Sequence, residues 1–177
     1  MPDLPIEEEG RLCDAVLREN FVNRVFVYKR WQLLLAQGLT AKSLIDFHSR
    51  HKYMVMAHSQ AAYKRMGSLL SHLKGVDMQR LGREYQHELM AALKRKVSRA
   101  RHVNVLQHLQ GYLKDKIDAG DKQGLAAAIE DYRRSEVPLI VPMRLLQDYF
   151  RRHPDDYIAQ QYYLDPYPAS LGLRNHV

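Results

Sequence analysis

The 177-residue chain carries 27 Lys and Arg against 20 Asp and Glu, a formal charge of +7 before any of its nine histidines is protonated. A single cysteine, Cys13, excludes a disulfide framework, a thiolate zinc site and a self-contained iron–sulfur cluster, and no apolar run approaches the ~18 residues of a membrane span. The length suits one domain with a substantial core, and the basic balance favours phosphate-rich or acidic partners in a reducing, cytoplasmic setting.

Residues 1–11 read as an extended lead-in. Pro2 and Pro5 restrict the backbone, and Glu7, Glu8 and Glu9 suit the first turn of a helix beginning near Gly10. From Leu12 to Ala36 the apolar residues, among them Val16, Phe21, Val22, Phe26 and Leu33, make a wide stripe, the mark of a helix touching two neighbours. Gly38 ends it, and Thr40 is a good N-cap for the next helix, which is expected to run to about Leu73 with Gly67 as a weak point.

The stretch Asp46 to Tyr63, DFHSRHKYMVMAHSQAAY, organises the rest. At about 100° per residue, His48, His51, Lys52, Val55, His58, Ser59 and Tyr63 fall within an arc of roughly 140°, opposite the packing side of Phe47, Met54, Ala57 and Ala61. The expectation is a polar furrow suited to an anionic partner.

Asp77 opens an amphipathic helix through Met78, Leu81, Tyr85, Leu89 and Leu93, which ends in the charge run Lys94, Arg95 and Lys96 with Arg99 and Arg101. In the following helix Leu106, Leu109, Leu113 and Ile117 make one face. Arg101, Asn104, His108 and Tyr112 lie within roughly 80° of one another on the other side, a second polar ladder. Gly120 and Asp121 suggest a turn, and Leu125, Ala128, Ile129 and Tyr132 a short helix. Pro138 and Pro142 mark a stiff extended segment leading into a helix that His153-Pro154 stops. After a short helical piece around Tyr157 to Tyr163, the tail 164–177 is expected to pack on the body, returning Arg174, Asn175 and His176 to the surface. The predicted architecture is all-α, an irregular single-domain bundle of about seven helices.

Three chemistries compete for these residues. A metal site is disfavoured, because His58 lies about 10 Å beyond His51 at 1.5 Å per residue and no HExxH or Glu-x-x-His pair occurs. No cofactor is expected. Nucleophilic chemistry has little support: His58 and Ser59 project about 100° apart, and Ser59 lacks the elbow that exposes a nucleophile. Nucleic-acid binding needs cations for phosphates and planar groups for unstacked bases, and Arg50, His51, Lys52, Tyr53, Lys94, Arg95, Arg99, Arg101 and Arg174 supply both. The plainer reading of the 94–101 cluster is a solvated helix end opposing the dipole. His48, His58, Ser59, Tyr63, Asn104, His108, Tyr112, Asn175 and His176 form a candidate pocket or hydrogen-bonded network, whose plainer reading is bracing between helices.

The segments FHSRHKYMVMAHS, NVLQHLQGYLK, LIVP and YLDPYPASLGLRNHV, with EEEGRL and LRENFVNRVFVYKRW nearer the start, resemble the YbgA-like domain of bacteria, a domain of unknown function. The likeness runs from about Leu4 to Val177. The resemblance is to a domain found both alone and fused behind a cysteine-rich desulfidase domain, whose iron–sulfur cluster serves to remove sulfur from thiolated uracil. There the YbgA-like part is thought to help hold tRNA. With Cys13 alone, the desulfidase activity is not carried over. The resemblance implies an RNA partner, tRNA first, and a stand-alone accessory module acting in trans beside a desulfidase or other RNA-modifying enzyme. It implies no catalytic residues. The alternative is a small enzyme or ligand-binding protein with a pocket around His48, His51, His58, His108 and Tyr112, and a third reading is a protein-interaction adaptor. A single open face shared by the 94–101 cations, Arg50, Lys52 and Arg174 would favour a polymer, whereas histidines around a closed cavity would favour the second reading.

Overall fold

Asp14 sets the start of the first long helix. Its Oδ1 accepts from the N–H groups of Val16 and Leu17 at 2.8 and 3.0 Å and so caps α1 (Ala15–Ala36). The computed structural model describes residues 3–173. Upstream, Glu9–Cys13 forms a short 3-10 turn, so the helix expected near Gly10 begins later.

Thr40 caps α2 (Ala41–His58) as expected: its hydroxyl accepts from the Ser43 N–H at 3.1 Å, and Ser43 Oγ accepts from the Thr40 N–H at 3.0 Å. The continuous helix expected as far as Leu73 does not form. Ser59 adopts an extended backbone, φ −159° and ψ 108°, closing α2 and capping α3 (Gln60–Leu69) through the Ala62 N–H at 3.2 Å. A serine hydroxyl offers the backbone this alternative to a through-going helix. Gly67, the expected weak point, lies inside α3.

Asp77 caps α4 (Met78–Leu93). The charge run 94–98 is a loop rather than a helix end, and α5 (Arg99–Gly111) follows it. Asp118 caps α6 (Ala119–Arg133), which places Gly120 and Asp121 in its first turn. In α7 (Ile140–Arg152) Pro142 sits in the first turn, where a missing N–H breaks no helical bond, so the last three residues of the segment expected to be extended are already helical, while 137–139 precede the helix. Asp155 caps the short α8 (Asp156–Ala159). The described residues form an all-α single-domain bundle of eight α-helices without a strand, the split at Ser59 accounting for the additional helix.

Two apolar clusters share α2. Phe47, Met54 and Val55 pack with Trp31, Tyr85, Leu89 and Leu93, while Tyr53, Met56 and Ala57 pack with Leu106, Leu109, Leu125 and Leu146. Every residue from Tyr53 to Ser59 is buried, as suits a helix enclosed on all sides. The polar furrow expected along α2 survives only in part: His48, Lys52 and Tyr63 line an open groove with Ser49, Lys64 and Tyr157, while His51, His58 and Ser59 are buried beneath neighbouring helices.

The segment after α8 is hooked onto the first two helices. The Tyr162 N–H donates to the Arg50 carbonyl at 3.0 Å and Gln161 Nε2 to the Ser49 carbonyl at 2.9 Å. Further along, Arg30 donates to the Pro166 carbonyl, and the Tyr167 hydroxyl donates to Glu19 at 3.1 Å. Arg174, Asn175 and His176 lie outside the described residues. No helix among the described residues is long and apolar enough to cross a membrane.

Candidate functional site

The middle of α1 carries three polar residues where an apolar helix would be cheaper to bury. Glu19, Asn20 and Asn23 are only 8%, 8% and 7% exposed. Asn20 Nδ2 donates to the Leu93 carbonyl at 3.0 Å and to the Arg95 carbonyl at 3.4 Å, holding the end of α4 and the loop after it. From the end of α2, His58 Nδ1 meets the same Arg95 carbonyl at 2.6 Å. Arg101 Nη1 donates at 2.7 Å to the His58 carbonyl, one of the α2 C-terminal carbonyls that the helix itself leaves open. The loop carrying Lys94, Arg95 and Lys96 is thus tied down by its backbone while all three side chains stay exposed.

These ties frame a pocket of about 300 Å³. Glu19, Asn20 and Asn23 form its α1 wall; Lys96, Ser98 and Arg99 line it from the start of α5 and the loop before it, and His58 and His102 add imidazoles. Tyr132 and Tyr163 add ring surface. Arg99 is held over the Tyr132 ring at 4.6 Å and donates to the Tyr132 carbonyl at 2.8 Å, while His102 Nδ1 lies 2.8 Å from the Tyr163 hydroxyl. No side chain caps α5 at Ser98, so its first-turn N–H groups and the positive end of its dipole remain beside the pocket. An α5 start of this kind, beside lysine and arginine, attracts anions.

The candidate residues are scattered differently from the expected furrow. His51 is 1% exposed, donates through Nδ1 to the Phe47 carbonyl at 2.8 Å, and is sandwiched between Phe47 at 4.0 Å and Tyr162 at 4.7 Å. Burial pushes its pKa down to about 3, so it stays neutral and has no route to a base. Tyr53, 2% exposed, joins its hydroxyl to that of Tyr112 at 3.2 Å and is equally removed from the surface. Both are core residues, not the base-contacting residues expected from the sequence. His48 faces α4, its Nδ1 at 3.0 Å from the Tyr85 hydroxyl, and burial together with nearby Lys52 pushes its pKa down to about 4. Ser59 is the cap between α2 and α3, and Tyr63 is half-buried.

Asn104 and His108 are exposed on α5 and are not part of the pocket wall. The two polar ladders touch at two separate places rather than along one seat: Arg101 meets the His58 carbonyl at the start of α5, and Lys52 lies within electrostatic reach of Tyr112 beside Tyr63 and Tyr157. Arg50 and Lys52, two residues apart, project roughly 200° from one another around α2 and share no face. Lys52 lies over the rings of Tyr53 and Tyr157 at 5.5 and 5.7 Å, whereas Arg50 borders a groove with Arg30 and Tyr162. The cations that do gather are Lys94, Arg95, Lys96, Arg99 and Arg101. Glu19, Asn20 and Asn23 escaped the sequence reading, although polar residues at i, i+1 and i+4 inside an apolar stripe were a visible signal. Among the described residues no group of three or more His, Cys, Asp or Glu could hold a metal ion.

Architecture and pocket together define a class: a small helical bundle whose central helix is enclosed over its C-terminal half, with a polar pocket at the start of an uncapped helix. Residues 52–168 match the model of the family described as "Protein of unknown function (DUF1722)". The chain is 33% identical over 153 residues to the "Uncharacterized protein YbgA" of Escherichia coli (strain K12), spanning 86% of this chain and 90% of that protein. No solved structure matches. The chain belongs to the DUF1722 family, in agreement with the YbgA-like resemblance of its motifs.

Proposed function

We propose that this protein binds RNA, tRNA first, as a cytoplasmic accessory module acting beside a separate desulfidase or other RNA-modifying enzyme. The observation that carries the reading is the loop between α4 and α5. Lys94, Arg95 and Lys96 point into solvent from a backbone anchored by Asn20 and His58, next to the uncapped start of α5. Fixed cations beside open helical N–H groups suit a phosphate backbone, and phosphate contacts set the register of a nucleic acid without reading its sequence.

The residues that carry the phosphate work are narrower than sequence suggested. Arg99 and Arg101 spend hydrogen bonds on the Tyr132 and His58 carbonyls, so their removal would disturb the fold as well as the surface. The informative variant is Lys94→Ala/Arg95→Ala/Lys96→Ala.

The test is filter binding of bulk tRNA at several salt concentrations. Wild type is expected to bind saturably at low salt, and the triple variant to lose about 2 units from the slope of log affinity against log salt, at 0.7 to 0.9 per phosphate neutralised. Absence of saturable binding at low salt overturns the reading.

A further inference from the structure

Asn23 presents an anomaly that the cationic loop does not explain. It is 7% exposed on the pocket wall, and its Oδ1 has no hydrogen-bond partner among the described residues. A buried acceptor left unmatched costs stability, so such atoms call for a specific reason. Glu19, one turn earlier on the same wall, already accepts from the Tyr167 hydroxyl. The α1 wall therefore offers one unmatched acceptor, Asn23 Oδ1, suited to an N–H donor.

The lining contributed by α5 and the loop before it has the reverse character. Lys96, Arg99 and the uncapped N-terminus of α5 present positive charge and N–H groups. A ligand matching both walls carries N–H donors at one end and an anion at the other. Tyr132 and Tyr163, 5% and 2% exposed, add a little aromatic surface to the lining, which suits a planar body. About 300 Å³ is at the small end of ligand sites and suits one such unit rather than a chain of them.

We propose that this pocket takes one unstacked nucleotide of the bound RNA, its base donating an N–H to Asn23 Oδ1 on the α1 wall and its phosphate resting at the start of α5 beside Lys96. The inference rests on the RNA reading for the source of the nucleotide, and on the pocket alone for its chemistry. A free amino acid also joins an ammonium to an anion but has no planar base, and serves as the rival in the test.

The experiment titrates labelled full-length protein with the four nucleoside 5′-monophosphates, the matching nucleosides, inorganic phosphate and glycine, following amide resonances. At least one monophosphate is expected to shift the Asn23 side-chain amide together with the Ser98, Arg99 and Ala100 backbone amides. Its nucleoside and inorganic phosphate should bind at least about tenfold more weakly, and Asn23→Leu should weaken the monophosphate by a similar factor. If no monophosphate moves both sets of resonances, or glycine does so better, the pocket proposal fails, and wild type alone decides this even should Asn23→Leu not fold. If Asn23→Leu folds and binds tRNA as wild type does, the pocket proposal fails and the RNA reading stands. If a monophosphate binds but tRNA does not, the RNA reading fails and the pocket is a site for free nucleotides.

Discussion

The Nδ1 of His58 lies 2.6 Å from the carbonyl oxygen of Arg95, joining the last residue of α2 to the loop that precedes α5. The imidazole acts here as a fixed donor to a backbone carbonyl. It aims the lysines on either side of Arg95 by holding the backbone between them, without itself occupying the surface.

Replacing His58 by Phe keeps the ring volume and removes the donor. The Arg95 carbonyl retains only the longer bond from Asn20. A loss of about 1 to 3 kcal/mol is expected from the broken buried bond. Urea denaturation followed by the fluorescence of Trp31, the single tryptophan and fully buried, measures the loss. Faster amide exchange across residues 94–98 would show the freed loop.

Acid should destabilise the protein through His48 and His51. Their folded pKa values are pushed down to about 4 and about 3 from 6.5, first by burial, so the unfolded chain takes up protons that the folded chain refuses. Each contributes stability that is complete above about pH 6.5 and is lost as the pH falls toward its folded value. The expected slope in that window is about 1.4 kcal/mol per pH unit for each group. Urea midpoints at about pH 7, 6 and 5 for wild type and His51→Phe should differ in slope by one such contribution. Equal slopes would contradict the burial of an uncharged His51.

Asn23→Leu should hold or raise the stability of the ligand-free protein, by up to about 1 kcal/mol, because an unmatched buried acceptor gives way to an apolar group of similar size. Most core substitutions destabilise, so the sign is the informative part. A marked fall in the urea midpoint would mean that Asn23 is a structural tie.

Lys94 and Arg101, both exposed but differing in their bonds to the backbone, should behave oppositely. Lys94→Ala removes a solvated side chain and should change stability by no more than about 0.5 kcal/mol. Arg101→Ala removes the donor to the His58 carbonyl and should cost about 1 to 3 kcal/mol. Thermal melts of the two variants side by side make the comparison.

Local order was largely legible in the chain. Thr40 and Asp77 start helices because a short side-chain oxygen satisfies first-turn N–H groups from within three residues, and that chemistry needs no partner from elsewhere in the fold. The period of Leu81, Tyr85, Leu89 and Leu93 likewise marks one face of one helix. The all-α class and the family likeness were legible for the same reason. Ser59 was the local feature misjudged: a serine inside an apparently continuous periodic pattern can end one helix and cap the next, and periodicity does not register the change of axis.

Sequence alone determined that the chain is helical and basic and where most helices lie, because caps, periodicity and formal charge are properties of near neighbours. Only the tertiary structure decided which polar residues meet. His51 is buried between Phe47 and Tyr162, while Glu19 and Asn23 from α1 line one pocket with Lys96 and Arg99 from beyond α4. A helical angle says which side of its own axis a residue occupies. What lies against that side depends on packing partners distant in the chain, and burial by those partners separates a hydrogen-bonded core histidine from a ligand-facing one.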